Sequence, residues 1–150
     1  MASLLGTTAN CKEFEEGDNL SYSSSVQGVV DIYGLVDLTP EACITNGDVP
    51  SWSMDAFLGT KFTKESGTRA SAIAYIDENT PPFFVLHGTK DQLVPISQSD
   101  KIYEVLQNRG VDVIYLQVEG AGHGDPMFYQ DAICERIIKF LADCKMKLNV

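Results

Sequence analysis

Asp91 and His123 are the two side chains whose types and placement are best suited to chemistry. Asp91 closes Gly88-Thr89-Lys90-Asp91, directly after the apolar run Phe83-Phe84-Val85-Leu86-His87. His123 lies in Gly120-Ala121-Gly122-His123-Gly124, directly after the β-branched and aromatic stretch from Val111 to Val118. A histidine can take a proton from a nucleophile and hand it to a leaving group. A buried carboxylate holds its ring in the required tautomer and steadies the imidazolium. Glycines around His123 let its backbone approach a partner without a side-chain clash. The same residues also fit a surface aspartate in a turn and a histidine in a glycine-rich loop, and the pattern alone leaves both readings open.

A nucleophile is harder to find. Hydrolytic sites of this kind use G-x-S-x-G, a strained strand-to-helix turn that lifts the serine into the site. None of the serines stands in that motif, and Ser23 to Ser25 precede a strand, at the wrong end of a parallel sheet. Cys11 and Cys43 lack an elbow context, so no nucleophile is assigned. His87 ends an apolar run four residues before Asp91 and reads as structural, its imidazole hydrogen-bonded beneath the site. With Asp91 the two histidines lack H-x-x-x-H or H-E-x-x-H spacing, and the four cysteines form neither C-x-x-C nor a zinc pattern. No metal is therefore expected. Gly120, Gly122 and Gly124 follow a late strand instead of opening a nucleotide-binding unit, so no cofactor is expected either.

The elements that must position this pair read as α/β. Ala2 to Ala9 looks helical, and Asn10 to Ser25 is a polar, acidic loop. Val26-Gln27-Gly28-Val29-Val30-Asp31-Ile32-Tyr33 reads as a strand ending at Gly34. From 35 to 82, Pro40, Gly47, Pro50, Gly59 and Gly67 punctuate short apolar pieces, with helices expected around Ser53–Leu58 and Arg69–Ala74. This excursion carries Trp52, Phe57, Phe62 and Tyr75, which either line a pocket or form its small core. Phe83 to His87 is a strand buried on both faces, Ser97 to Asn108 a helix stopped by Gly110, and Val111 to Val118 a third strand. Asp125-Pro126 reads as the cap and first residue of a final helix whose apolar stripe is Ile133, Ile137, Ile138 and Leu141. Strands separated by helices imply parallel pairing through crossovers, and loops beyond the carboxyl ends of such strands form the binding crevice. The edge at residues 26–33 has no Lys or Pro to protect it, which predicts a homo-oligomer or a partner chain on that edge.

Bulk properties bound the rest. At 150 residues and 44% apolar composition, a single domain covering 1–150 is expected. The formal charge of −10, from 21 acids and 11 bases, disfavours nucleic acid and anionic membranes. No stretch reaches the apolar length of a membrane helix. As written the chain reads as cytoplasmic; a signal peptide on a longer parent would leave secretion open.

Residues 81–95, followed by Ser97-Gln98-Ser99, resemble the segment that bears the triad acid in α/β-hydrolase esterases of the bacterial feruloyl-esterase-like, or carboxylesterase/lipase-like, family. Gly120-Ala121-Gly122-His123-Gly124 is similar to the family's histidine loop. Val26 to Gly34, with Asp37 beyond, is similar to the strand after its nucleophile elbow, and Met1 to Gly6 to the helix that follows the elbow. The resemblance implies a partial α/β-hydrolase fold of three layers, with a short, mainly parallel sheet and an excursion that is cap-like or pocket-lining. It implies Asp91 as triad acid and His123 as base, with the family's serine about five residues upstream of Met1. The chain is thus expected to be the C-terminal half of an ester hydrolase, supplying only acid and base and inactive alone. It would act on a small-molecule ester once completed. The alternative is a non-catalytic module that self-associates or completes a partner chain.

Overall fold

The computed structural model describes residues 1–43 and 51–146, with side chains described from Met54 onward in the second stretch. Gly47, Pro50 and the side chain of Trp52 lie outside the described residues. The elements are α1 (Ala2–Thr7), β1 (Val29–Ile32), α2 (Pro40–Cys43), α3 (Ser51–Leu58), α4 (Lys64–Arg69), β2 (Phe83–Gly88), α5 (Ser97–Asn108), β3 (Val113–Val118) and α6 (Asp131–Met146). Short 3-10 turns occupy Lys12–Phe14, Ala72–Tyr75 and Pro126–Tyr129.

The three strands form one parallel sheet in the order β1-β2-β3, with Val29 beside Phe83 and Phe83 beside Val113. Alternation along β2 sends successive side chains to opposite faces. Phe83 and Val85 join Val29 with Ile102 and Leu106 of α5, and Leu4 of α1 packs against the same cluster. Phe84 and Leu86 meet Phe140 and Cys144 of α6, together with Phe128. Helices on both faces of a short parallel sheet make the three-layer α/β architecture that the alternation of elements predicts. Every residue of β2 is buried, as a strand covered on both sides must be. Burying each of Phe83, Phe84, Val85 and Leu86 contributes about 1.5–3 kcal/mol.

Several elements differ from the sequence expectation for identifiable reasons. The second excursion helix is α4, earlier than residues 69–74, because Thr63 and Ser66 form a reciprocal capping box that starts it. Ser71 ends it: its hydroxyl donates to the Gly67 carbonyl at 2.7 Å and accepts from the Leu38 amide at 2.8 Å. Asp125 does cap, accepting from the Met127 amide at 2.9 Å, but it caps the 3-10 turn at Pro126–Tyr129 and not α6. On α6 the inward stripe is Ile133, Ile137, Phe140 and Cys144, whereas Ile138 and Leu141 are 66% and 45% exposed. An apolar pair one position off the stripe cannot be told from core without knowing where the sheet lies.

Gln98, at the start of α5, ties the excursion to the sheet. Its carbonyl oxygen accepts from the Val36 and Asp37 amides at 3.0 and 2.9 Å, and its NH2 donates to the Asp37 carbonyl at 3.0 Å. Asp37 also pairs with Lys101.

Candidate active site

Adjacent parallel strands bring the two loops together. The register places His87 beside Gln117 and Gly88 beside Val118, so the chain leaves β2 and β3 at the same rim. Backbone bonds then lace the loops. The Thr89 amide donates to Val118 at 3.1 Å, the Lys90 amide to Ala121 at 2.9 Å, and the Gly120 amide to the Thr89 hydroxyl at 2.9 Å. Gly88 is required here, because a Cβ would run into the Ala121 carbonyl.

This lacing sets Asp91 against His123. Asp91 Oδ2 lies 2.8 Å from His123 Nδ1. Its Oδ1 accepts from the Leu93 and Val94 amides, both at 2.9 Å. The aspartate side chain is fully shielded, while that of His123 is 30% exposed. Burial alone would raise the Asp91 pKa. The bonds from Val94, His123 and Leu93 outweigh it and hold the carboxyl below its ordinary range. An ionised carboxylate only accepts, so Nδ1 carries the proton and Nε2 is the imidazole's basic nitrogen. That is the tautomer a general base needs.

His87 is completely buried. Its Nε2 lies 3.0 Å from the Val94 carbonyl, which can only accept, so Nε2 carries hydrogen and Nδ1 accepts from the Ser99 hydroxyl at 2.7 Å. The same Nε2 is 3.4 Å from Asp91 Oδ2. His87 therefore fastens the loop that carries Asp91 to the start of α5.

Tyr33 also belongs to the site, and the sequence reading placed it only as a strand residue. Its ring centroid is 4.4 Å from that of His123. The signal available in the sequence was Tyr33-Gly34 at a strand end. Of the excursion aromatics, Phe57 is 65% exposed, Phe62 packs on the Leu38–Met54 cluster, and Tyr75 donates to Glu13 at 3.0 Å. An apolar cavity of about 560 Å³ opens between α1 and the excursion, lined by Leu4, Leu35, Leu38, Met54 and Phe57.

The serines with described side chains have other partners or places. Ser3 bonds Asp31, Ser71 holds Gly67, and Ser99 holds His87. Ser23 to Ser25 are exposed ahead of β1. None of them hydrogen-bonds the His123 ring. Among the described residues, no group of three or more His, Cys, Asp or Glu side chains can hold a metal, and no helix is long and apolar enough to cross a membrane.

The chain as a whole is similar to esterases in sequence and fold. The BD-FAE family model matches residues 1–106. Esterase LipQ of Mycobacterium tuberculosis is 31% identical over 127 residues, covering 82% of this chain and 30% of LipQ. Esterase LipC of the same organism is 28% identical, covering 83% of this chain and 32% of LipC. A truncated carbohydrate esterase from gut microbiota superposes with TM-score 0.83 at 26% identity, over 96% of this chain and 55% of that one. A bifunctional GH43-CE protein of Bacteroides eggerthii superposes with TM-score 0.81 at 30% identity, over 95% of this chain and 20% of that one. The chain spans about a third of the length of the curated relatives it matches.

These alignments correct the expectation of a likeness to a C-terminal half only. Similarity to esterase folds extends over nearly the whole chain, 82–96%, and the family match begins at residue 1. The likeness also rests on α1, β1 and the excursion, whose apolar residues pack in the same cores.

Proposed function

The chain belongs to the BD-FAE family, and from that premise we propose that it furnishes the acid–base pair of a carboxylic-ester hydrolase. The observation that carries this is the 2.8 Å bond between a shielded, ionised Asp91 and Nδ1 of a partly exposed His123. In this reading Nε2 of His123 takes the proton of an attacking hydroxyl and passes it to the departing alcohol. It then activates water to release the acyl group. Asp91 stabilises the imidazolium formed at each step. The attacking hydroxyl is not one of this chain's described serines, so these residues supply acid and base and no nucleophile. The substrate is a small-molecule ester.

Intact-mass measurement after exposure to a fluorophosphonate probe tests the assignment. The folded chain alone should gain no stoichiometric adduct, and His123→Ala should abolish labelling in any ester-hydrolysing assembly that contains it. An adduct on the isolated chain would overturn the nucleophile assignment. Undiminished hydrolysis by the His123→Ala assembly would overturn the role of the pair.

A second reading draws on the sheet edge. β1 pairs only with β2 among the described residues. In a parallel ladder alternate residues turn to each side, so the backbone groups of Val30 and Ile32 are available to another strand. We propose self-association or strand addition at residues 26–33. Sedimentation at micromolar concentration should show a species larger than 16.4 kDa, and a folded monomer there would remove this reading.

A further inference from the structure

Tyr33 has a positive φ of 46°, the sole described residue other than glycine with one. A bulky side chain rarely occupies that region, and such strain persists only where the surroundings enforce it. The enforcing group is Asp31. Its Oδ1 accepts from the Gly34 amide at 2.8 Å, and its other oxygen receives the Ser3 hydroxyl of α1. The Tyr33 amide remains bonded to the Leu86 carbonyl at 2.7 Å, so the turn begins while the chain is still attached to the sheet.

The turn changes the face on which the ring lies. Regular alternation would put Tyr33 with Val29 and Asp31, on the α1 and α5 side. Instead it packs with Val30 and Ile32 against the cluster on the α6 side. There its ring stands edge-on to Phe128 at 5.0 Å and tilts 52° against His123 at 4.4 Å. The hydroxyl's bond with Tyr129, then burial, push the Tyr33 phenol above its ordinary pKa. It therefore stays protonated where esters are hydrolysed and contributes a surface more than a proton.

We propose that Tyr33 is a positioning residue for His123, turned across the sheet by the Asp31–Gly34 turn so that its ring holds the imidazole against Asp91. Its catalytic consequence rests on the reading of His123 as base; its physical content does not. Without the ring, His123 keeps one hydrogen bond and gains freedom to rotate out of line. Glycine and asparagine tolerate the left-handed backbone, so Tyr33→Gly and Tyr33→Asn delete the ring without straining the turn.

The chain has two histidines, which makes the test internally controlled. Long-range 1H–15N spectra distinguish them, because His87 carries its proton on Nε2 and His123 on Nδ1. Tyr33→Gly and Tyr33→Asn should shift the His123 ring signals toward averaged tautomers. They should also raise its reactivity with diethyl pyrocarbonate about fivefold, the scale of one aromatic contact. Tyr33→Phe should retain wild-type behaviour, and His87 should not move in any variant. Unchanged His123 signals and reactivity in both ring-deleted variants would overturn the proposal. So would displacement of His87 in both, since the ring would then be supporting the fold in general. Averaged His123 tautomers in the wild type would instead count against the Asp91–His123 pair itself.

Discussion

The two histidines approach the same carboxylate oxygen from different environments, His87 at 3.4 Å and His123 at 2.8 Å. His87 is sealed under the sheet end with both ring nitrogens engaged by protein groups. His123 stands at the rim with one nitrogen held by Asp91 and its side chain 30% exposed. A ring whose nitrogens are both committed supports structure. A ring with one nitrogen held and one basic can exchange a proton with a ligand. The difference arises from the loops: β2 ends with His87 still inside the sheet, whereas Gly120 to Gly124 carry His123 beyond it.

Substitutions should separate these roles. In an ester-hydrolysing assembly of the kind proposed, His123→Ala is expected to lower hydrolysis about 10²- to 10⁴-fold, the usual contribution of a general base. It should cost less stability than His87→Ala, about 1–2 kcal/mol, because it removes one hydrogen bond from the shielded Asp91 carboxylate while the Leu93 and Val94 amides remain bonded. Steady-state kinetics and urea denaturation together check this, and a large stability loss would erase the contrast. His87→Ala should do the reverse first, costing about 3 kcal/mol by opening a cavity and stranding the Ser99 hydroxyl and Val94 carbonyl. A urea midpoint within error of wild type would show that the floor of the site carries no such load.

Gly88→Ala addresses the connection between the two regions. Its Cβ would press on the Ala121 carbonyl, so about 1–3 kcal/mol of destabilisation is expected, with a longer Asp91–His123 separation visible as loss of the Nδ1-bonded proton resonance. An intact resonance at wild-type stability would mean that the loops can shift independently.

The smallest expected effect is a pH dependence. The Asp91 carboxyl is held below its ordinary value of 3.8, so the folded protein binds that proton less readily than the unfolded chain. Its contribution to stability is complete above that value and is lost as pH falls through the lowered one. Asp37 acts in the same direction: burial would raise its pKa, but the Lys101 bond and the Thr39 bonds overcome it. Urea midpoints should fall on acidification from neutral pH toward about pH 3, below the ordinary carboxylate range. The fall should be smaller in Asp91→Asn, and an unchanged fall would assign the effect elsewhere.

Much of this arrangement was legible in the residues. The Phe83–His87 run, the Ser97–Asn108 helix with its glycine stop, and the paired loops at Asp91 and His123 each carry a local signal. The inward stripe of α6 was not legible, because Ile137 and Ile138 are equally apolar and only the position of the sheet distinguishes them. Tyr33 was missed for a related reason. Its type and neighbours suit a strand, and the turn that redirects it depends on a side-chain bond from Asp31 and on α1 packing above it.

The sequence by itself determined the α/β class, the strand-end loops and the candidates for acid and base, since these follow from hydrophobic period, glycine placement and side-chain chemistry within short windows. Tertiary structure decided which nitrogen of each histidine holds hydrogen, which face receives Tyr33, and which apolar residues of α6 are core. Those outcomes depend on groups far apart in the chain, such as Asp91 with His123 and Asp31 with Ser3, whose meeting is set by strand register and packing.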